Sequence, residues 1–187
     1  GLDISATIGD LRYLLNQHEL ANVIERNYKR GEDLESDFLH FSKERGIYDQ
    51  IRILDDSGQE KVRVNYNSGR PSVTPIDKLQ NKANRYYFHE AFELNPGEVF
   101  ISPLDLNIEK GKIEQPLKPM IRIGTPVFDE NGKKKGIVLL NYLAGQILES
   151  FEQMSQRALG TSMLLNGEGY WLKGENKDDA WGFMYSD

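Results

Sequence analysis

Three strand–turn–strand patterns recur along this 187-residue chain, and they constrain its fold more than any other feature. In each pattern, two apolar or β-branched runs flank a turn made of Asp, Asn, Ser, Glu and Gly, which is typical of a β-hairpin. The predicted turns are residues 55–58, 129–132 and 166–169. The chain therefore contains at least three predicted β-hairpins.

Helical periodicity dominates the first 45 residues. Apolar residues at three- to five-residue steps predict one long amphipathic helix from Ile4 to about Lys29, with Gly31 as its stop. A second helix is expected to be capped by Asp33 and to end before Gly46. Two helices therefore precede the first hairpin.

Between and after the hairpins, further elements are predicted. Thr74-Pro75-Ile76-Asp77 is a variant of the capping box and predicts a third helix that runs to about Leu94. A strand over 99–102 and a polar loop over 105–118 should follow, and a fourth helix is expected over 144–158.

Composition and charge exclude several function classes. The chain carries 23 basic and 29 acidic residues, for a formal net charge of -6, so it lacks the positive field that gathers around a phosphate backbone. We expect no nucleic-acid partner. Cysteine is absent, which excludes disulfides and thiolate catalysis, and no apolar run is long enough to cross a bilayer.

Motifs of catalysis are also missing from the sequence. The three histidines, His18, His40 and His89, show no metal-binding spacing, and no nucleophile elbow, dinucleotide fingerprint or P-loop is present. The acidic pairs at 55–56 and 129–130 fall in predicted turns, where Asp serves the backbone. We therefore expect a non-enzymatic segment with no cofactor and no metal, and keep a soluble α/β hydrolase as the enzymatic alternative.

The stretch from residue 85 to residue 122 resembles a binding site more than a scaffold. Arg85 and Tyr87 are expected in the C-terminal half of the third helix, and Asp105 and Arg122 follow the next strands. A guanidinium, a phenol and carboxylates on one concavity could grip a small carboxylate-bearing ligand. Alternatively, Arg85 and Asp105 form an internal salt bridge and Tyr87 is part of the core.

In this order, the elements resemble the extracytoplasmic double Cache (PAS-like) sensor domains of microbial histidine kinases, diguanylate cyclases and chemoreceptors. The resemblance covers most of the chain and includes the long N-terminal helix. The other segments that resemble the family are residues 51–65, 84–91 (Asn-Arg-Tyr-Tyr-Phe-His-Glu-Ala), 100–107, 119–129 and 136–142. Residues 164–173 resemble the opening of the second, membrane-proximal module.

The resemblance implies an α+β fold with a central antiparallel sheet of about five strands flanked by helices. Residues 1–158 would form the membrane-distal module with its long N-terminal helix, and residues 159–187 would begin an incomplete membrane-proximal module. The chain begins with Gly1 rather than Met, and a membrane-spanning segment is expected before it. The segment would then be the extracytoplasmic part of a membrane-anchored protein.

The resemblance also suggests a ligand site. In amino-acid-binding members, an Arg-x-Trp-Tyr motif grips the ligand carboxylate and a strand-end Asp receives its amine. Here Arg85 matches the arginine, Tyr87 and Phe88 replace the two aromatics, and the uncharged Asn141 occupies the Asp position. We therefore expect a carboxylate or another small polar molecule as ligand. The candidate ligand-binding residues are Arg85, Tyr87, Ser102, Asp105, Arg122 and Asn141.

Taken together, these features predict the ligand-sensing domain of a transmembrane receptor, most simply a sensor histidine kinase, that signals through helix packing. Ile4, Ile8, Leu11 and Leu15 could mediate a homodimer through the first helix or could simply cover the sheet. Two alternatives are a structural or dimerisation spacer that binds no ligand, and the sensor of a diguanylate cyclase or chemoreceptor.

Overall fold

The computed structural model describes residues 3–16, 20–25, 32–109, 111–157, 160–174 and 176–185. The described residues cluster into two compact units. The large unit contains residues 3–102 and 122–142, and the small unit contains residues 103–121 and 143–187, within those ranges. None of the described helices is both long and apolar enough to cross a membrane.

In the described ranges, the α-helices are α1 (Ile4–Leu15), α2 (Leu20–Glu25), α3 (Glu32–Arg45), α4 (Tyr86–Glu93) and α5 (Gly145–Ser155). The prediction of one helix from Ile4 to Lys29 is wrong, because α1 ends at Leu15 and α2 begins at Leu20. At Asn16 the backbone leaves helical geometry, with φ -82° and ψ 5°. Residues 17–19 and 26–31, with the predicted stop at Gly31, lie outside the described residues.

The second predicted helix is confirmed as α3. Its apolar stripe is buried at Leu34, Phe38 and Phe41. The chain leaves it through Gly46, whose φ of +63° is a left-handed conformation that glycine adopts without steric cost. Asp33 lies inside the helix, which begins at Glu32, and is therefore not its cap.

The strands, in chain order, are β1 (Tyr48–Asp55), β2 (Glu60–Asn65), β3 (Ser72–Val73), β4 (Phe100–Ile101), β5 (Asp105–Leu106), β6 (Ile108–Glu109), β7 (Lys112–Ile113), β8 (Pro119–Phe128), β9 (Lys134–Leu143), β10 (Leu164–Leu165) and β11 (Trp171–Lys173). The main sheet has the order β3-β2-β1-β9-β8-β4, all antiparallel, and β5 pairs with the start of β8. The three predicted hairpins are confirmed as β1–β2, β8–β9 and β10–β11, and with them the α+β class.

The predicted helix from Thr74 to Leu94 is wrong over its first half. A single 3₁₀ turn at Ile76–Lys78 is followed by extended chain, and the helix starts only at Tyr86. The capping signal fails because the Thr74 hydroxyl accepts hydrogen bonds from Arg63 Nε (3.0 Å) and Asn65 Nδ2 (2.8 Å) instead of capping a helix. Tertiary partners outweigh the local preference here.

The non-helical stretch 79–85, which contains a turn at 83–84, is hereafter called the strap. It docks on the first hairpin: Glu60 N donates to Gln80 O (3.0 Å), and Lys82 N donates to Gly58 O (2.7 Å). An isolated bridge joins Gln59 and Asn81. The strap ends at Arg85, the residue that precedes α4.

The prediction of an unstructured polar loop over 105–118 is also wrong, since β5, β6 and β7 lie within it. The strand predicted over 99–102 is present as the shorter β4. The fourth helix is confirmed as α5, within the predicted range of 144–158.

Helices pack on both faces of the sheet in the large unit. On one face α3 covers β1 and β2 and α2 contacts β1, while the Tyr48 hydroxyl donates a 2.6 Å hydrogen bond to Asp10 Oδ2 of α1. On the other face α4 packs over an apolar cluster: Leu54, Tyr87, Phe88, Ala91, Phe100, Ile137 and Leu139. Gly124 permits this approach, because a Cβ there would lie 3.3 Å from the Cβ of Ala91.

The small unit has a core of its own around Leu106, Leu172 and Trp181. It therefore joins residues from 103–121 with residues from the C-terminal segment. A module boundary at residue 159 is a finer division of the chain and stays a prediction.

Candidate ligand-binding site

Polar side chains occupy the middle of the sheet face that α4 covers. Strand β1 places Gln50 and Arg52 on this face because residues two apart share a side of a strand. Gln50 pairs in register with Asn141 of β9, and its Oε1 accepts a hydrogen bond from Asn141 Nδ2 (3.2 Å). The guanidinium of Arg52 donates to the same oxygen. These three side chains form one hydrogen-bonded row across two strands.

Arg52 is the buried cation of this row, with 5% of its surface exposed. Its Nη1 lies 3.4 Å from the Tyr87 hydroxyl and 3.7 Å from Glu60 Oε1. Its Nε makes no hydrogen bond to any described residue. A buried guanidinium retains an unmet donor only at a free-energy cost, which an acceptor on a ligand would recover.

Tyr87, on the first turn of α4, is surrounded by guanidinium groups. Arg122 Cζ lies 5.2 Å and Arg85 Cζ lies 5.7 Å from the centroid of its ring, and Arg52 contacts its hydroxyl. Both ring contacts lie within the range of cation–π attraction. Three positive charges on one phenol give this face a strong preference for an anion.

Arg85 occupies a position different from the predicted one. It precedes α4 in extended conformation (φ -96°, ψ 133°), whereas the sequence suggested the C-terminal half of a long helix. Its side chain is half-buried at the end of the strap. This position leaves the guanidinium at the edge of the polar face, next to Tyr87.

Asn141 contributes the unmet acceptor of the site. The residue is fully buried, and its Oδ1 accepts no hydrogen bond from the described residues. Leaving a buried polar atom unsatisfied costs about 1–3 kcal/mol. A ligand that donates an N–H or O–H to Oδ1 would recover that free energy.

Ser102 and Asp105 are placed differently. Ser102 has a structural contact with Arg122: its Oγ accepts from Arg122 N, and its own N donates to Arg122 O, both at 2.8 Å. Asp105 lies on β5 in the small unit and pairs with Met120. The internal Arg85–Asp105 salt bridge, which the sequence offers as an alternative to a binding site, stays a hypothesis.

Comparison with known proteins agrees with this architecture. The family described as the sensor domain of bacterial histidine kinases matches residues 5–187. The chain belongs to this family of sensor domains. A comparison with curated proteins finds no match.

Solved structures extend the comparison. A domain of a sensory box/GGDEF family protein from Vibrio parahaemolyticus is 26% identical, with a TM-score of 0.77 over 97% of this chain and 68% of that one. The extracellular domain of the histidine kinase vpHK1S-Z8 is also 26% identical, with a TM-score of 0.74 over 96% of this chain and 63% of that one. The sensor domain thus spans about two thirds of the length of these relatives.

A more distant likeness shows the fold alone. The ligand-binding domain of the Campylobacter jejuni chemoreceptor Tlp3, solved with 4-methylisoleucine, is 12% identical, with a TM-score of 0.64 over 93% of this chain and 63% of that one. The double Cache-like resemblance suggested by the motif order is therefore confirmed at the level of family and fold.

Three polar residues of the site were not predicted from the sequence: Gln50, Arg52 and Glu60. The only available signal was the alternation of polar residues with Ile51 and Ile53 along β1. The same alternation is typical of a strand with one solvated face. It becomes a site signal only once α4 is known to cover that face.

The acidic turn residues have the structural role that was predicted. Asp55 Oδ1 accepts from Ser57 N (2.9 Å) and Gln59 N (3.0 Å), and Asp129 Oδ1 accepts from Asn131 N (2.9 Å) and Lys133 N (2.8 Å). Although burial acts to raise it, hydrogen bonds from the Ser57 hydroxyl and then from the Gln59 amide hold the pKa of Asp55 below its ordinary value. Both carboxylates stabilise turns. Among the described residues, no group of three His, Asp or Glu side chains is placed to hold a metal ion.

The small unit contains a separate open cavity of about 260 Å³ between the end of α5 and β11. Lys173 Nζ and Glu152 Oε2 form an ion pair of 3.0 Å in its wall. Because these two charges already neutralise each other, the cavity lacks the excess positive charge of the α4 face.

Proposed function

We propose that this chain is the extracytoplasmic ligand-sensing domain of a transmembrane histidine kinase and that it binds a small carboxylate-bearing molecule on the α4 face of the large unit. One observation carries the proposal: Arg52, Arg85 and Arg122 converge on Tyr87. On the same face, Arg52 Nε and Asn141 Oδ1 lack hydrogen-bond partners among the described residues. The ligand carboxylate would bind the arginines, and a ligand donor would meet Asn141.

The ligand class follows from charge and hydrogen bonding. A carboxylate forms its strongest contacts with guanidinium forks, which are rigid and bidentate. Asn141 offers an uncharged acceptor, so a hydroxyl or amide donor suits it better than an ammonium group, which would lose its counter-ion. Hydroxy acids and simple carboxylates are therefore preferred over amino acids.

Signalling is proposed to act by population shift through the helices. A ligand changes the balance of two arrangements only by its differential affinity for them. In α1, Leu11 is buried, Ile8 and Leu15 are half-buried, and Ile4 is 50% exposed. The buried part of the predicted stripe packs within the large unit, and the exposed end is proposed to contact a second copy of the chain.

Thermal unfolding with a panel of acids tests the binding proposal. Acetate, lactate, succinate, glycine and γ-aminobutyrate are compared with acetamide at constant ionic strength. A ligand at 100 times its dissociation constant adds about 2.7 kcal/mol, which corresponds to a rise in Tm of roughly 5–10 °C for a chain of this size.

Arg85→Ala should abolish that rise, since Arg85 is half-buried at the edge of the site. Arg70→Ala, which removes one exposed arginine elsewhere, is the matched control and should respond like the unmodified protein. A full panel without any response would leave the spacer function as the better description of the domain.

A further inference from the structure

Glu60 is a buried carboxylate that joins the candidate site to the strap. It is 1% exposed, and its two oxygens have different partners. Oε2 accepts a hydrogen bond from Gln80 N (2.9 Å) and one from Arg63 Nη1 (3.4 Å). Oε1 lies 3.7 Å from Arg52 Nη1 and accepts no hydrogen bond from the described residues.

The contact between Glu60 and Arg52 is an ion pair without hydrogen bonding. Within a buried site, a guanidinium and a carboxylate usually approach to hydrogen-bonding distance, which stabilises both. Here Arg52 Nε and Glu60 Oε1 are each left unsatisfied, although the two side chains face each other. Arg52 is therefore charge-compensated but retains hydrogen-bonding capacity for a second anion.

Glu60 makes two of the hydrogen bonds that dock the strap on the first hairpin. Gln80 receives one backbone hydrogen bond from Glu60 N and gives one to the Glu60 carboxylate. The strap has no helix of its own, and its residues are partly or fully exposed. Segments with few buried side chains are those that open at the lowest free energy. Because the strap ends at Arg85, its position also sets the position of that arginine.

We propose that Glu60 is an internal counter-ion of Arg52 with which a ligand carboxylate competes, and that this competition loosens the strap when the ligand binds. The inference rests on the proposed function. A carboxylate on Arg52 brings a second negative charge close to Glu60, and like charges at that distance repel. The repulsion displaces the Glu60 carboxylate, and the strap amide of Gln80, which is bonded to Glu60 Oε2, has to follow it or lose that hydrogen bond. Occupancy of the site is passed to the strap in this way.

The test uses Glu60→Gln with acetate as the probe, in buffers balanced with chloride. Glutamine keeps the side-chain length and an oxygen for Gln80 N, but removes the charge that competes with acetate. At an effective dielectric constant near 20, removing one charge about 6 Å from the bound anion tightens acetate binding roughly 100-fold. Glu114→Gln is the matched control, because it removes a half-buried, ion-paired carboxylate in the small unit.

A second measurement needs no variant. Hydrogen exchange of the Gln80 and Lys82 amides in the unmodified domain should become several-fold faster with acetate. The exchange rate of the Gly132 amide, in the turn between β8 and β9, should not change. This arm keeps the inference testable if Glu60→Gln does not fold.

The outcomes separate the two proposals. Tighter acetate binding by Glu60→Gln than by Glu114→Gln, with faster exchange in the strap, supports the inference. Equal or weaker binding by Glu60→Gln, or unchanged exchange at Gln80 in a protein that binds acetate, overturns the inference and leaves the proposed function standing. Absence of acetate binding by every variant overturns the inference, and it overturns the proposed function as well if the other acids of the panel also give no response.

Discussion

Replacing Tyr48 with Phe tests the contact that ties the N-terminal helix to the sheet. Tyr48 is fully buried, and its hydroxyl donates a 2.6 Å hydrogen bond to Asp10 Oδ2. Asp10 is 2% exposed, and Arg45 Nη2 of α3 lies 2.5 Å from its other oxygen. Asp10 therefore links α1 to both β1 and α3, and Tyr48→Phe removes one of its two described partners.

The expected cost follows from the kind of bond that is lost. A hydrogen bond to a charged acceptor contributes about 1.5–3 kcal/mol, and phenylalanine keeps the ring, so no cavity term is added. For a chain of this length, 1 kcal/mol changes Tm by about 2–4 °C. Tyr48→Phe should therefore lower Tm by about 3–12 °C.

Urea unfolding followed by circular dichroism measures the free energy directly, with the slope m as a check on two-state behaviour. Tyr142→Phe is the control: its ring meets Tyr48 edge-on, and its hydroxyl has no partner among the described residues. It should change the free energy of unfolding by less than about 0.5 kcal/mol. Equal losses in the two variants would refute the stabilising role of the Tyr48–Asp10 bond.

Alkaline pH provides an independent check on the same contact. Burial, and then the hydrogen bond to Asp10, raise the pKa of Tyr48 well above its ordinary value. The folded state thus keeps its proton while the unfolded chain loses one near pH 10. The difference in free energy of unfolding between the unmodified protein and Tyr48→Phe should be constant below about pH 9.5 and shrink as the pH rises further. A difference in stability that grows with pH would contradict the stabilising role of the Tyr48 hydroxyl.

Two further predictions concern the strap and the ligand site. Gly58→Ala should lower the free energy of unfolding by at least about 2 kcal/mol, because the new Cβ would lie 2.6 Å from Ala83 N at a φ of +77°. Gly132→Ala is the control: its φ is +76° and the space around it is open, so only the backbone strain should reduce stability. Equal losses of stability in the two variants would disprove docking of the strap on the turn. Asn141→Asp should reduce the rise in Tm that acetate causes and increase the rise that glycine causes, because a carboxylate can pair with an ammonium group. If the two rises in Tm do not change, Asn141 lies outside the site.

The elements predicted correctly are those specified by short-range signals. The hairpin turns contain Asp or Asn side chains that bond their own backbone, as at Asp55 and Asp129, and the burial of α3 follows its own apolar spacing. Such signals act within a few residues of each other. These elements could therefore be predicted without knowing the rest of the fold.

The failures share a different physical cause, which is competition from distant residues. The Thr74 hydroxyl had the pattern of a helix cap, but Arg63 and Asn65 of β2 occupy it. Glu60 then takes the Gln80 amide, which a helix would have used. Arg85 was selected correctly but placed on the wrong element, because its position depends on these contacts.

Arg52 illustrates why the centre of the site could not be predicted. An arginine between two isoleucines on a strand is ordinarily a solvated residue, and no local signal distinguishes it. Its role depends on α4, which lies more than 30 residues away and brings the Tyr87 hydroxyl to within 3.4 Å. Sequence reasoning therefore reached Tyr87 and Asn141 through the family motif, but not the cation between them.

Strand β1 connects the proposed ligand site to the N-terminal helix α1. Three residues lie between Tyr48, which holds α1 through Asp10, and Arg52, which faces the ligand site. A shift in the pairing with β9 between Tyr48 and Gln50 puts these two side chains on opposite faces of the sheet. Side chains on a paired strand cannot move independently, because its backbone is hydrogen-bonded to β2 on one side and β9 on the other. A ligand that draws Arg52 away from Glu60 therefore acts first on the strap, which has the fewest constraints. It reaches α1 only if β1 itself shifts against its neighbours.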